Sequence, residues 1–66
     1  MNIEILVKEI RQEKHISLEK LSNRSGVSTT HINDIENNIK SPSLYVMVRL
    51  AKALEVGITE LYKVIW

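Results

Sequence analysis

Residues 17–36 read SLEKLSNRSGVSTTHINDIE, and this stretch decides the fold. It divides at Gly26 into two short helical segments. Ser17 stands ahead of the first and Ser28 ahead of the second, where a serine oxygen at the N-cap accepts from one of the free amides of the first turn. Ser22, four residues before Gly26, offers little bulk where one helix crosses another at close range. Val27, Ile32 and Ile35 supply apolar contacts beneath the turn. Spacing, side-chain size and capping together predict helices over 18–25 and 29–37 joined by a tight turn.

Working outward, Ile3, Leu6, Val7 and Ile10 recur at helical spacing and predict a first helix over 3–14 that ends near His15. Asn38 ends the third helix, since asparagine follows glycine as the residue that best accepts a left-handed stop. Pro42 and Ser43 open a fourth helix with Leu44, Met47, Leu50, Ala51 and Leu54 on its buried side, ending near Glu55. Gly57 allows another turn, Thr59 caps a last helix, and Leu61, Tyr62, Val64, Ile65 and Trp66 close the sequence. No strand alternation, internal repeat or linker is read. Five helices with short turns predict one all-α domain over 1–66, with 58–66 as its last helix.

With these residues in view, the chain resembles the XRE family of helix-turn-helix regulators, of the Cro/CI phage-repressor type. The resemblance runs from about Val7 to Tyr62. It rests on Ile10 and Arg11, on Ser17 and Leu21, on Gly26, Val27 and Ser28 at the turn, and on Ile32, Ile35 and Glu36 in the third helix. Ser41, Pro42, Ser43 and Leu44, followed by Leu50, Ala51, Lys52, Ala53 and Leu54, continue it. It implies a five-helix lambda-repressor-like domain, binding of double-stranded DNA, and a homodimer. His15 and Asn38 stand where the family commonly has glycine.

Composition bounds the alternatives. At 66 residues the chain buries only about 60% of the surface its unfolded form exposes, so association through an apolar face would add stability. The absence of cysteine removes disulfides, thiol catalysis and cysteine-held zinc. Glu4 and Glu9 interrupt what would otherwise serve as an apolar signal core, and no apolar run approaches the roughly 20 residues that span a bilayer. A soluble, cytoplasmic protein without membrane attachment is expected. The net charge of +1 does not by itself announce a nucleic-acid binder. His15 and His31 have no partners at metal-ligand spacing, and no nucleophile has an evident base. No enzyme activity, metal or cofactor is expected.

Ile32 and Ile35 set the inward direction of the third helix, and at roughly 100° per residue the opposite face carries Thr30, Asn33, Asn37 and, toward one side, Asp34. Asparagine can pair two ways with adenine, and threonine can hydrogen-bond a base or press its methyl on thymine. The resemblance places base contacts on Thr29, Thr30, Asn33 and Asp34, and Asn37 continues that face. Asp34 departs from the family, which often has arginine, lysine or glutamine there, although a carboxylate can accept from cytosine N4. Phosphate contacts fall to Lys40 in the loop after the third helix, to Ser28 and Ser43 at helix N-termini, and to His31, Lys20 and Arg24. Leu18 stands where many members use glutamine to hold a phosphate, which leaves backbone amides to do so.

The resemblance also sets Arg11 against Glu36 as an ion pair tying the first helix to the third. Leu61, Tyr62, Ile65 and Trp66 are more apolar surface than one small domain easily buries, and are expected to form a dimer interface on the last helix. The leading expectation is a dimeric transcriptional regulator, a repressor, that reads a palindromic operator. The competing one is a protein-interaction module or antitoxin-like regulator with weak or lost DNA binding, acting through a regulatory protein partner.

Overall fold

The structure is a computed structural model that describes residues 1–66. In chain order it contains β1 (Asn2–Ile5), α1 (Val7–Glu13), α2 (Leu18–Ser25), α3 (Thr29–Glu36), α4 (Leu44–Leu54), a 3-10 turn (Ile58–Glu60) and β2 (Tyr62–Ile65). Val7, Leu21, Ile32, Ile35, Leu50, Leu54 and Leu61 are fully buried and form the centre of a single apolar core, with Ile16, Val27, Met47 and Ala51 around them. Every helix places at least one side chain in that core.

Three helices start on serine for the same reason. Ser17 Oγ accepts from the Lys20 amide at 3.0 Å, Ser28 Oγ from the His31 amide at 3.1 Å, and Ser43 Oγ from the Val46 amide at 3.1 Å. Each bond satisfies an amide that the first helical turn cannot. The stops are left-handed residues: His15 at φ 56, Gly26 at φ 74, Asn38 at φ 59 and Glu55 at φ 58. Gly57, expected to provide a turn, is instead extended and precedes the 3-10 turn, where the Glu60 carboxylate accepts from its amide at 2.8 Å.

The ends of the chain correct the five-helix expectation. Residues 2–5 are a strand, so the first helix begins at Val7, and residues 58–66 hold a 3-10 turn and a strand with no last helix for Thr59 to cap. The fold is thus mostly helical with a two-stranded antiparallel sheet, in register Asn2 with Ile65, Ile3 with Val64, Glu4 with Lys63 and Ile5 with Tyr62. Ile3 and Ile5 alternate with Asn2 and Glu4, a period of two that suits a half-buried strand. Ile5 and Tyr62 pack on the core from the same face of the sheet.

Glu55 spends its conformation on the left-handed stop of α4 while its side chain stays exposed. A left-handed non-glycine residue costs roughly 1–2 kcal/mol, partly offset in a glycine variant by the greater freedom of its unfolded chain. Glu55→Gly is expected to stabilise the fold by about 0.5–1 kcal/mol, read as a higher urea midpoint at unchanged slope; a midpoint that falls would contradict the strain.

Candidate nucleic-acid interface

The outer face of α3 is exposed because its other face is committed to the core. Ile32 and Ile35 are fully buried, which turns Thr30, Asn33 and Asn37 to solvent and leaves Thr29, His31 and Asp34 half-buried along the flanks. The Asn37 side-chain amide donates to Asn33 Oδ1 at 3.0 Å and to the Asn33 carbonyl at 2.9 Å. This lock orients Asn33 before any ligand arrives, and its own amide hydrogens stay free.

The loop after α3 folds back onto the helix. The Ile39 and Lys40 amides both donate to the Asp34 carbonyl, and Lys40 Nζ stands 3.9 Å from Asp34 Oδ2. Lys40 is largely exposed, so the ion pair is weak and labile. Ser28 and Ser43 cap α3 and α4, and the other first-turn amides of each helix have no partner within the helix. Lys20 lies exposed in the first turn of α2. Arg24 is elsewhere: it lines an open cleft with Ser25, Arg49, Lys52, Ala53 and Glu55.

Two arginines hold this face at a fixed angle. Arg11 Nε donates to Glu36 Oε2 at 2.8 Å, Nη2 to Glu36 Oε1 at 3.0 Å, and Nη1 to the Ile16 carbonyl at 3.1 Å. Side-chain exposures of 13% for Arg11 and 4% for Glu36 make this a desolvated, bidentate pair. The hydrogen bond to Glu36 raises the Arg11 guanidinium above its already high value; burial opposes this and the Glu36 charge assists it. A raised cationic group stabilises at every pH below its unfolded value and loses that contribution only as pH climbs through the folded one. For arginine that window lies far above neutrality.

Arg49 was not foreseen from the sequence. Its Nε donates to the Ser25 carbonyl at 2.8 Å, and another nitrogen donates to Tyr45 Oη at 3.0 Å, with the guanidinium carbon 5.5 Å from the Tyr45 ring centroid. The tyrosine and arginine are four residues apart on α4, which was the one available signal. Arg49 thereby ties α4 to the end of α2, beside the turn. Gly26 does more than accept a positive φ there, because a Cβ would lie 2.5 Å from an Arg49 terminal nitrogen. Leu61 requires a correction: at 0% exposure it belongs to the core and is not available to a second copy. Tyr62 is half-buried, whereas Ile65 and Trp66 are exposed.

Two capped helices meeting at a left-handed glycine, with the second helix presenting a polar face, define a helix-turn-helix DNA-binding domain. Residues 7–61 match the Helix-turn-helix family model, and the chain belongs to that family, the XRE-type transcriptional regulators, which bind DNA and are not enzymes. It is 36% identical over 56 residues to an uncharacterized HTH-type transcriptional regulator of Mycobacterium tuberculosis, covering 85% of this chain and 40% of that protein. It is 32% identical over 56 residues to the ImmF control region 10 kDa protein of Bacillus phage phi105, covering 85% of this chain and 62% of that one. The chain therefore spans less than two thirds of these relatives.

Among solved structures it is similar to the restriction-modification controller protein C.AhdI from Aeromonas hydrophila, with a TM-score of 0.79, 30% identity and 82% of each chain covered. It is also similar to the N-terminal DNA-binding domain of SinR from Bacillus subtilis, with a TM-score of 0.74, 30% identity and 80% of this chain and 78% of that one covered.

Two stability measurements probe the frame. Glu36→Ala leaves the Arg11 charge desolvated and unpaired and is expected to cost about 3–5 kcal/mol in urea denaturation; a loss below about 1 kcal/mol, the range of exposed pairs, would contradict the buried fork. Gly26→Ala must push aside the Arg49 guanidinium, whose terminal nitrogen would lie 2.5 Å from the new Cβ, so its cost and that of Arg49→Ala overlap. The double variant is expected to lose about 1–2 kcal/mol less than the sum of the singles, and strict additivity would mean that Arg49 does not hold the turn.

Proposed function

We propose that the domain is a dimeric, sequence-specific regulator that occupies a palindromic site on double-stranded DNA and represses by excluding polymerase. The carrying observation is the outward face of α3, where Asn33 is exposed, pre-oriented by Asn37, and backed by the buried Ile32 and Ile35. In this reading Thr29 and Thr30 enter the major groove first, Asn33 pairs with an adenine, and Asn37 and Asp34 extend the contact toward neighbouring bases. Lys40, Ser28, Ser43, His31 and Lys20 hold phosphates on either side, with the α3 and α4 N-terminal amides supplying uncharged donors. Arg24 drops out of this set because it faces the cleft with Arg49 and Lys52.

The relatives support the reading: the SinR domain is described as DNA-binding, and C.AhdI as a restriction-modification controller. A symmetric dimer would set two α3 helices about 34 Å apart, one turn of DNA. Such a protein works in the cytoplasm. Specificity here leans on hydrogen bonding more than on charge, since the α3 face is polar with Asp34 its only carboxylate and no basic side chain other than the flanking His31.

Selection from random duplexes at low salt tests this. The native chain is expected to enrich a palindrome, and Asn33→Ala to bind it about 5- to 150-fold more weakly, the value of one lost bidentate base contact, at an unchanged urea midpoint. Asp34→Asn frees Lys40 and is expected to steepen the log-log salt slope by about 0.9 for each phosphate gained. A folded, dimeric sample that enriches no sequence would contradict specific reading.

A further inference from the structure

The hydrogen bonds of Asn37, the residue that caps the end of α3, have a direction. Its Nδ2 donates to the Asn33 carbonyl at 2.9 Å and to Asn33 Oδ1 at 3.0 Å. A backbone carbonyl can only accept, so the Asn37 amide has one workable orientation: turned over, its Oδ1 would face that carbonyl oxygen. The consequence passes to Asn33. With Asn37 Nδ2 held in place, Asn33 must present Oδ1 to it, since a turned Asn33 would set one NH2 group against another. A carboxamide free to exchange its oxygen and nitrogen ends would have no preferred sense. Here a carbonyl of the helix itself fixes that sense through one intervening side chain, and no other side chain hydrogen-bonds Asn33.

The sense of an amide decides which purine it fits. In the major groove adenine shows an N6 donor beside the N7 acceptor, whereas guanine shows two acceptors, O6 and N7. An amide that keeps oxygen at one end and nitrogen at the other matches adenine. Set against guanine, the same amide brings Oδ1 onto O6 and has to turn over before it can donate there. The lock with Asn37 opposes that turn.

We propose that Asn37 is a positioning residue for base selection, acting through Asn33 to make it choose adenine over guanine. The inference rests on the reading of DNA by Asn33 above and names the residue that enforces the choice of purine. It also gives the proposal a signature, because releasing the lock improves the fit to the wrong base.

Two duplexes test it, identical except for adenine or guanine at the operator position whose preference Asn33→Ala abolishes. The native chain is expected to favour adenine about 5- to 150-fold. In Asn37→Ala both senses of the Asn33 amide are open, so adenine binding is expected to fall only about 2-fold, the loss of half the competent population. Guanine binding is expected to strengthen about 2- to 12-fold, the value of the hydrogen bond no longer lost on turning. A merely structural role would weaken both duplexes alike. Asn37→Asp accepts from Asn33 Nδ2 and cannot donate, so it is expected to lower the adenine-to-guanine ratio further, while its added charge weakens binding to every duplex. In an Asn33→Ala background, Asn37→Ala is expected to leave the ratio where it stands. A ratio unchanged by both Asn37 variants, or one that shifts equally without Asn33, would overturn the lock while leaving the reading of DNA by α3 standing. A native chain that enriches no sequence, or whose base preferences all survive Asn33→Ala, would overturn the reading by Asn33 itself.

Discussion

The buried fork between Arg11 and Glu36 is the constraint on which the arrangement depends. One guanidinium joins three separate pieces of chain: α1, which carries it, α3, which supplies the carboxylate, and the α1–α2 connection, through the Ile16 carbonyl. Desolvating two charges is unfavourable unless their remaining donors and acceptors are also satisfied, and here they are. The return is orientation. Apolar contacts such as those of Ile32 and Ile35 hold α3 against the core without fixing its rotation closely, whereas a planar bidentate pair admits little slippage.

The turn between α2 and α3 is fixed from the opposite side. Gly26 accepts the left-handed conformation and leaves room for Arg49, and Arg49 in turn holds the Ser25 carbonyl while braced by Tyr45. With α1 gripping the far end of α3 and α4 gripping the turn before it, the polar face is presented by a rigid frame. Rigidity matters for a surface of small side chains. Threonine and asparagine reach only a short way, so a shift of the backbone by an ångström would remove the contacts proposed for them, while a long lysine could follow.

Much of this frame was legible in the sequence. Ser17, Ser28 and Ser43 mark helix starts that the structure realises as side-chain caps, and His15 and Asn38 take left-handed stops as read. These are local signals, carried by neighbouring residues. The sheet was hidden because it joins residues from the two ends of the chain, and because Ile3 continues the helical spacing of Leu6, Val7 and Ile10 as readily as it alternates with Asn2 and Glu4. Leu61 looked like interface for a related reason: apolar character does not say which apolar surface will cover a residue. Arg49 could not be assigned since its partner is a backbone carbonyl, to which the pattern of side chains is blind. On α3, the identity of the face was readable from Ile32 and Ile35, but the Asn33–Asn37 lock and the tether of Lys40 to Asp34 required the folded geometry.

What emerges is a small helix-turn-helix domain whose outward α3 face is rigid, polar and almost uncharged, flanked by one tethered lysine and by helix N-termini. Mapping amide chemical shifts of the isotope-labelled chain while titrating a short DNA duplex at low salt tests that account most directly, in a protein small enough for every amide to be followed. The account predicts that perturbations concentrate on Lys20 and on residues 28–37 and 40–45, with the Arg24, Arg49 and Lys52 cleft and β1 left in place. Shifts centred on that cleft, or none along α3 at saturating duplex, would contradict it.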